Sequence, residues 1–159
     1  MIRARAARVK NLRSAVENNN QKIGVSQKAI IYNNDGKILT MRRTETAPAW
    51  ALNWDLPGGE LEYGEEARAG IRREIKEEAG LEVENLDVID VNSDFDDINE
   101  FWVTICYSAK AKTAEVVISR EHDQFKWVAP DEFLKLKASP TNKKFVERFI
   151  LQNQLDKTA

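Results

Sequence analysis

Blocks of apolar and polar residues mark out the elements of this chain. Residues 23–32, IGVSQKAIIY, are rich in β-branched side chains and predict a strand. Asn33-Asn34-Asp35-Gly36 predicts a hairpin turn, with Asp35-Gly36 supplying the left-handed positions, and residues 37–42 return as its partner. A short strand at 54–56 runs into Leu56-Pro57-Gly58-Gly59. Ala67, Gly70, Ile71, Ile75 and Ala79 then recur at three-to-four spacing, the apolar stripe of a helix. Glu65 and Glu66 suit the dipole at its start, and Gly80 reads as its left-handed stop. Residues 86–91, 98–109 and 115–119 predict three further strands. The acidic stretch 92–97 between the first two reads mainly as a solvated connection, with a cation or substrate contact as the alternative. A strand follows at 125–128. Pro130 opens a short helix, and Pro140 a last one to about residue 155, with Phe145, Phe149 and Ile150 inward. Strands interspersed with helices imply an α/β fold, a mixed sheet with helices on its faces.

Residues 1–20 stand apart. Ile2, Ala6, Val9, Leu12 and Val16 recur at helical spacing, and Arg3, Arg5, Arg8, Lys10 and Arg13 precede the first acid, Glu17. The pattern predicts an extra N-terminal amphipathic helix or arm, ended by Asn18-Asn19-Asn20, ahead of one domain over 21–159. Three roles fit it: packing on the domain or on a second subunit to build a homodimer, a basic patch for RNA or an anionic surface, or an organelle transit peptide.

Composition narrows the class. A chain of 159 residues with 42% hydrophobic and 31% charged content fits one globular domain with a real core. A net charge of −2 gives no footprint for gripping nucleic acid, so no stable nucleic-acid partner is expected. The single cysteine, Cys106, excludes an internal disulfide and a cysteine-based zinc cluster, and reads as packing in the sheet. No apolar run approaches the roughly 20 residues of a membrane span, and the expectation is a cytoplasmic protein with no membrane partner.

The candidate chemistry sits in GELEYGEEARAGIRREIKEEAGL, residues 59–81. Helical spacing puts Glu74, Glu77 and Glu78 on one patch, where like charges repel. Arg72, Arg73 and Lys76 offset part of this. A hard divalent cation would offset it better, since Mg²⁺ and Mn²⁺ prefer carboxylate oxygens. Two positions without Cβ, Gly58 and Gly59, let backbone approach a ligand. Trp50 and Trp54 beside that turn can stack on a base or pack in the loop; both readings stand.

This stretch resembles the Nudix box, G-x5-E-x7-R-E-U-x-E-E-x-G-U with U a bulky aliphatic. Gly59, Glu65, Arg73, Glu74, Ile75, Glu77, Glu78, Gly80 and Leu81 fill every specified position. The resemblance implies an α/β/α Nudix sandwich and a Mg²⁺-dependent hydrolase, with Mn²⁺ as substitute, acting on a nucleoside diphosphate linked to another group. It implies Glu74, Glu77 and Glu78 as metal ligands, with a backbone carbonyl from Gly58. Glu121, six residues before Trp127, would be a further ligand or the general base, with Glu74 the rival base and Glu78 the firmest metal ligand. Arg73 and Glu65 would pair and hold loop to helix. Arg42 and Arg43 would end their strand near the phosphates, or simply be a solvated strand end. Together with Trp50, Trp54 and Gly59 they complete the substrate-binding candidates. His122, the lone histidine, reads as a structural hydrogen-bonder or a phosphate contact.

The substrate expected is a nucleotide, foremost a nucleoside triphosphate cleaved to monophosphate and pyrophosphate. A dinucleoside polyphosphate or nucleotide sugar is the alternative. A non-catalytic nucleotide sensor is the reading from a different class, and the intact acids speak for an enzyme.

Overall fold

The computed structural model describes residues 22–156, so the expected N-terminal helix lies outside the described residues. Strands β1 (Ile23–Tyr32), β2 (Ile38–Arg43), β3 (Trp54–Asp55), β4 (Val83–Phe95), β5 (Phe101–Ala111) and β6 (His122–Val128) form one mixed sheet. Helices α1 (Ala67–Ala79), α2 (Pro130–Phe133) and α3 (Pro140–Asp156) complete the elements. β1 lies parallel to β5 along its whole length, from Ile23 opposite Phe101 to Tyr32 opposite Lys110. β4 pairs antiparallel with the other edge of β5.

Alternation in the strands sorts the core into two layers. Ala29 and Ile31 of β1 join Ile71, Ile75 and Ala79 of α1 on one face. Ile30, between them in sequence, joins Phe133 of α2 and Phe145, Val146 and Phe149 of α3 on the other. The result is helix, sheet, helix, as expected. No helix of the described residues is long and apolar enough to cross a membrane.

α1 is delimited by its caps. The Glu66 side chain accepts a hydrogen bond from the Ala69 N–H, and Gly80 closes the far end at φ 68°. In the β1–β2 turn Gly36 alone is left-handed, at φ 71°; the Asn33 carboxamide accepts from the Asp35 and Lys37 N–H groups and shapes the rest.

Three expectations are corrected. Residues 115–119 are not a strand: the Val117 and Ser119 N–H groups donate to the Ala79 and Glu78 carbonyls and cap the end of α1. Their alternation arises because Val116 and Ile118 cover that end of the core. The acidic stretch 92–97 is strand as far as Phe95, and only the Asp96 turn, with Asn99 at φ 64°, reverses the chain into β5. Pairing with β5 carries the polar residues of this strand, where local pattern carried none of the signal. β6 begins at His122, three residues early, because it pairs with β2 back to Arg43 across a bulge.

The feature that positions the site is a gap. β2 pairs with β1 only at Tyr32–Ile38 and then diverges to take β3 at Met41 and Arg42. The vacated edge of β1 is filled by residues 57–61. Ala29 N–H donates to Pro57 O at 2.8 Å, Gln27 N–H to Gly59 O at 2.8 Å, and Leu61 N–H to Val25 O at 2.9 Å. The glycine loop therefore stands in for a strand. A Cβ on Gly58, at φ 143°, would fall 2.0 Å from the Gln27 carbonyl oxygen. Gly58→Ala is expected to cost more than about 3 kcal/mol, combining backbone strain with a clash against main chain. Gly36→Ala, left-handed but with open space around it, should cost about 1–2 kcal/mol. Urea unfolding of both variants checks the difference.

Candidate active site

Two groups of polar residues flank the glycine loop. On one side α1 presents its acids. Glu78 is 8% exposed, and its carboxylate accepts the Gly58 N–H at 2.9 Å. Burial pushes the Glu78 carboxyl up to about 7, against the opposing pull of Lys28 and of the Gly58 N–H. Glu74 is half-buried against the loop: a Cβ on Gly59 would stand 2.6 Å from its carboxyl carbon. Glu77 is exposed.

Arg73 gathers these acids. Its Nε and Nη2 donate to the two oxygens of Glu65 at 2.9 and 3.0 Å, the fork that ties loop to helix. Its Nη1 reaches Glu74 at 2.8 Å and Glu77 at 3.3 Å. The hydrogen bonds from Arg73 hold the Glu65 carboxyl below its ordinary range, and the Arg73 guanidinium is in turn held firmly charged. Glu121 lies on the loop before β6, exposed, its backbone N–H on the Ser119 hydroxyl. Ser119 N–H in turn donates to Glu78 O, so the Glu121 loop is tied to the acidic end of α1.

The donor chemistry suits a hard divalent cation: oxygen ligands only, one of them a buried carboxylate whose charge lacks a full counterion. With the carboxylates turned to Arg73, no three His, Cys, Asp or Glu side chains among the described residues stand close enough to share one ion. Holding a cation therefore requires Glu74 and Glu77 to exchange the guanidinium for it.

On the other side of the loop is a cavity of about 600 Å³. Gly58 and Gly59 line it, as do Arg43, Trp50, Trp54 and Trp102. Its anchor is Asp55 of β3. One oxygen accepts from Lys28 Nζ at 2.7 Å, Asn142 Nδ2 at 2.7 Å and the Leu56 N–H at 2.8 Å; the other accepts from Arg43 Nη1 at 3.2 Å. Burial alone would raise the Asp55 carboxyl, but Lys28, Asn142 and Arg43 together outweigh it and hold it below its ordinary 3.8. A larger groove, about 1170 Å³, lies at the Tyr32 end of the sheet and includes none of the candidate residues.

The substrate-binding candidates separate here. Arg43, Gly59, Trp50 and Trp54 reach the cavity. Trp50 is 56% exposed and held at φ 55°. Trp54 is 8% exposed, with Lys126 Nζ 4.6 Å from its ring centroid, and packs into the wall. Arg42 is not brought there; it forms a two-pronged pair with Asp123 at 2.8 and 2.9 Å. His122 is 5% exposed with Nδ1 unpartnered among the described residues, and burial, aided by Lys28 and Arg43, lowers its basicity.

Sequence reasoning missed Lys28, Asp55, Asn142 and Trp102. A lysine inside the apolar run of β1 and an aspartate between Trp54 and Leu56 were the available signals.

The model of the NUDIX domain family matches residues 22–149. A MutT-like protein of Streptomyces ambofaciens is 30% identical over 108 residues, 68% of this chain and 65% of that protein. The nucleoside triphosphatase NudI of Salmonella arizonae is 26% identical over 113 residues, 65% of this chain and 80% of that one. Among solved structures, the MutT protein of Methanosarcina mazei superposes with a TM-score of 0.73 at 29% identity, covering 84% of this chain and 97% of its own.

Asp55→Ala is expected to cost about 3–5 kcal/mol, because it strands Lys28 and Arg43 without their carboxylate. Since the folded-state carboxyl of Asp55 titrates below its unfolded value, its contribution is complete above the ordinary value and fades as pH falls through the folded one. The difference in unfolding free energy between the wild type and Asp55→Ala should therefore shrink from neutral to strongly acidic pH, as read by chemical denaturation at each.

Proposed function

Because the chain belongs to the Nudix family, we propose that it is a divalent-metal-dependent pyrophosphohydrolase that cleaves nucleoside triphosphates to monophosphate and pyrophosphate. The observation that carries this is the shared wall: Gly58 and Gly59 touch the α1 carboxylates on one side and line the cavity on the other. A nucleotide whose base and sugar occupy the cavity has its phosphate chain led across two residues without Cβ toward Glu74, Glu77 and Glu78. The nucleoside triphosphatase NudI of Salmonella arizonae, at 26% identity, agrees with such a substrate.

The residues have distinct tasks in this reading. Glu74, Glu77, Glu78 and Glu121, with the Gly58 carbonyl, would hold Mg²⁺, or Mn²⁺ in its place. When bound, the cation neutralises phosphate charge and acidifies its bound water. Arg73 holds the acids together before substrate arrives and keeps the loop on the helix through Glu65. Glu121 is the favoured acceptor for the proton of the attacking water, its carboxylate having no hydrogen bond among the described residues, and Glu74 is the rival once it has left Arg73. Water adds to one phosphorus of the α,β-anhydride and that P–O bond breaks; the bond's electron pair leaves with pyrophosphate when the α-phosphorus is attacked and with the nucleoside monophosphate when the β-phosphorus is attacked. Arg43 lies at the cavity side of the same loop, placed to meet phosphate oxygens.

Glu78→Gln should lower kcat by orders of magnitude while the circular dichroism spectrum and melting temperature stay near wild type. Turnover equal to wild type would remove Glu78 from the reaction. Thorough chelation should abolish activity, and added Mg²⁺ or Mn²⁺ should restore it. A panel of nucleoside triphosphates, dinucleoside polyphosphates and nucleotide sugars, scored for phosphate, pyrophosphate and monophosphate, tests the substrate. Tight binding of one member with no hydrolysis of any would favour a sensor.

A further inference from the structure

We propose that Trp102 is the platform on which the substrate's base stacks, and that the cavity selects bases bearing an exocyclic amino group. The proposal rests on the reading of this cavity as the nucleotide's compartment and names what that compartment recognises.

Trp102 of β5 lies beside Gly24 of β1 in the parallel ladder. A Cβ on Gly24 would meet three atoms of the indole at 2.4, 2.5 and 2.6 Å. Three near-equal approaches mean that the ring turns its face to the Gly24 position, and only glycine leaves room for it. The indole N–H donates to Asp96 Oδ2 at 3.1 Å. Asp96 is itself fixed, since its other oxygen accepts the Ile98 and Glu100 N–H groups at 3.0 and 2.8 Å. One ring face is thus seated on the sheet and one edge is tied to a rigid turn. Trp102 remains half-buried and lines the cavity. A pre-set aromatic surface loses little freedom when a base stacks on it. Trp50, more exposed and on a loop, has no such tether among the described residues.

The polar lining decides which base. Next to Trp102 the Ser26 and Thr104 hydroxyls bond each other at 2.7 Å and form a neutral floor. Lys28 and Arg43, the cations of the lining, pair with Asp55, and Arg43 keeps one buried N–H, at Nε, without a partner among the described residues, which in the proposed reading serves the phosphates rather than the base. Acceptors are in surplus: Glu60, Asp94 and Asp97 are among the lining residues, and Asn53 Oδ1 is buried without a partner among the described residues. An edge of carbonyl oxygens would face those acceptors unpaired, whereas an exocyclic amine pairs with them.

Binding of non-hydrolysable α,β-methylene analogues of the adenine, guanine, cytosine and uracil nucleoside triphosphates tests this, with inorganic triphosphate as the ligand lacking a base. Dissociation constants come from calorimetry, and tryptophan emission is followed in parallel. Trp102→Leu should weaken the three amino-bearing analogues by about tenfold and leave inorganic triphosphate unchanged. Trp102→Phe, which keeps a ring, should bind within about threefold of wild type yet lose the base-dependent quenching. Undiminished affinity in Trp102→Leu, or full quenching in Trp102→Phe, overturns the platform; if the leucine variant does not fold, the quenching decides. Uracil binding as tightly as the amino-bearing bases overturns the selectivity. Because these are binding measurements, Trp102-dependent binding without turnover would refute hydrolysis and leave the platform standing, whereas hydrolysis with Trp102-independent binding would do the reverse.

Discussion

Three backbone hydrogen bonds between β1 and residues 57–61 are the constraint on which the rest of the structure depends. A strand edge with unpaired N–H and C=O groups inside the fold is costly, so the loop that fills the edge is held as tightly as a strand. That has a steric consequence, since Gly58 lies so close to the Gln27 carbonyl that no side chain fits. It also has a chemical one. A loop held against the sheet can offer its own N–H to Glu78 and its open side to the cavity, so acid cluster and cavity share one rigid partition.

Charge is organised around that partition in two different ways. On the helix side, Arg73 spans Glu65, Glu74 and Glu77, whose side chains run from 15% to 60% exposed. On the sheet side, Asp55 is enclosed by Lys28, Arg43, Asn142 and the Leu56 N–H, and the first three of these come from three separate elements. The first arrangement suits a site that must accept an ion; the second suits a scaffold that must not move. Desolvation separates them, since the paired carboxyl of Asp55 is held below its ordinary range while burial raises that of Glu78.

Legibility followed the range of the interactions. α1 could be read closely, because its stripe and Gly80 are local signals; of the acids expected near its start, Glu66 is the cap and the first turn carries none. The box acids and the Arg73–Glu65 pair were legible for the same reason: they sit on one helix and the loop before it. Residues 115–119 misled because alternation reports which side chains are buried, and there it reported burial against the end of a helix. The far half of β4 was hidden because Asn92, Ser93 and Asp94 are strand residues only through their partners on β5.

The sequence by itself determined the helix, its carboxylates, the two adjacent glycines and the family to which they belong, because all are encoded within residues 58–81. Only the tertiary structure decided that Lys28, Asp55 and Asn142 meet, that Arg42 turns to Asp123 while Arg43 reaches the cavity, and that Trp102 is seated on Gly24. Those meetings join residues 27 to 87 positions apart, and no local period records a distance closed only when the sheet assembles.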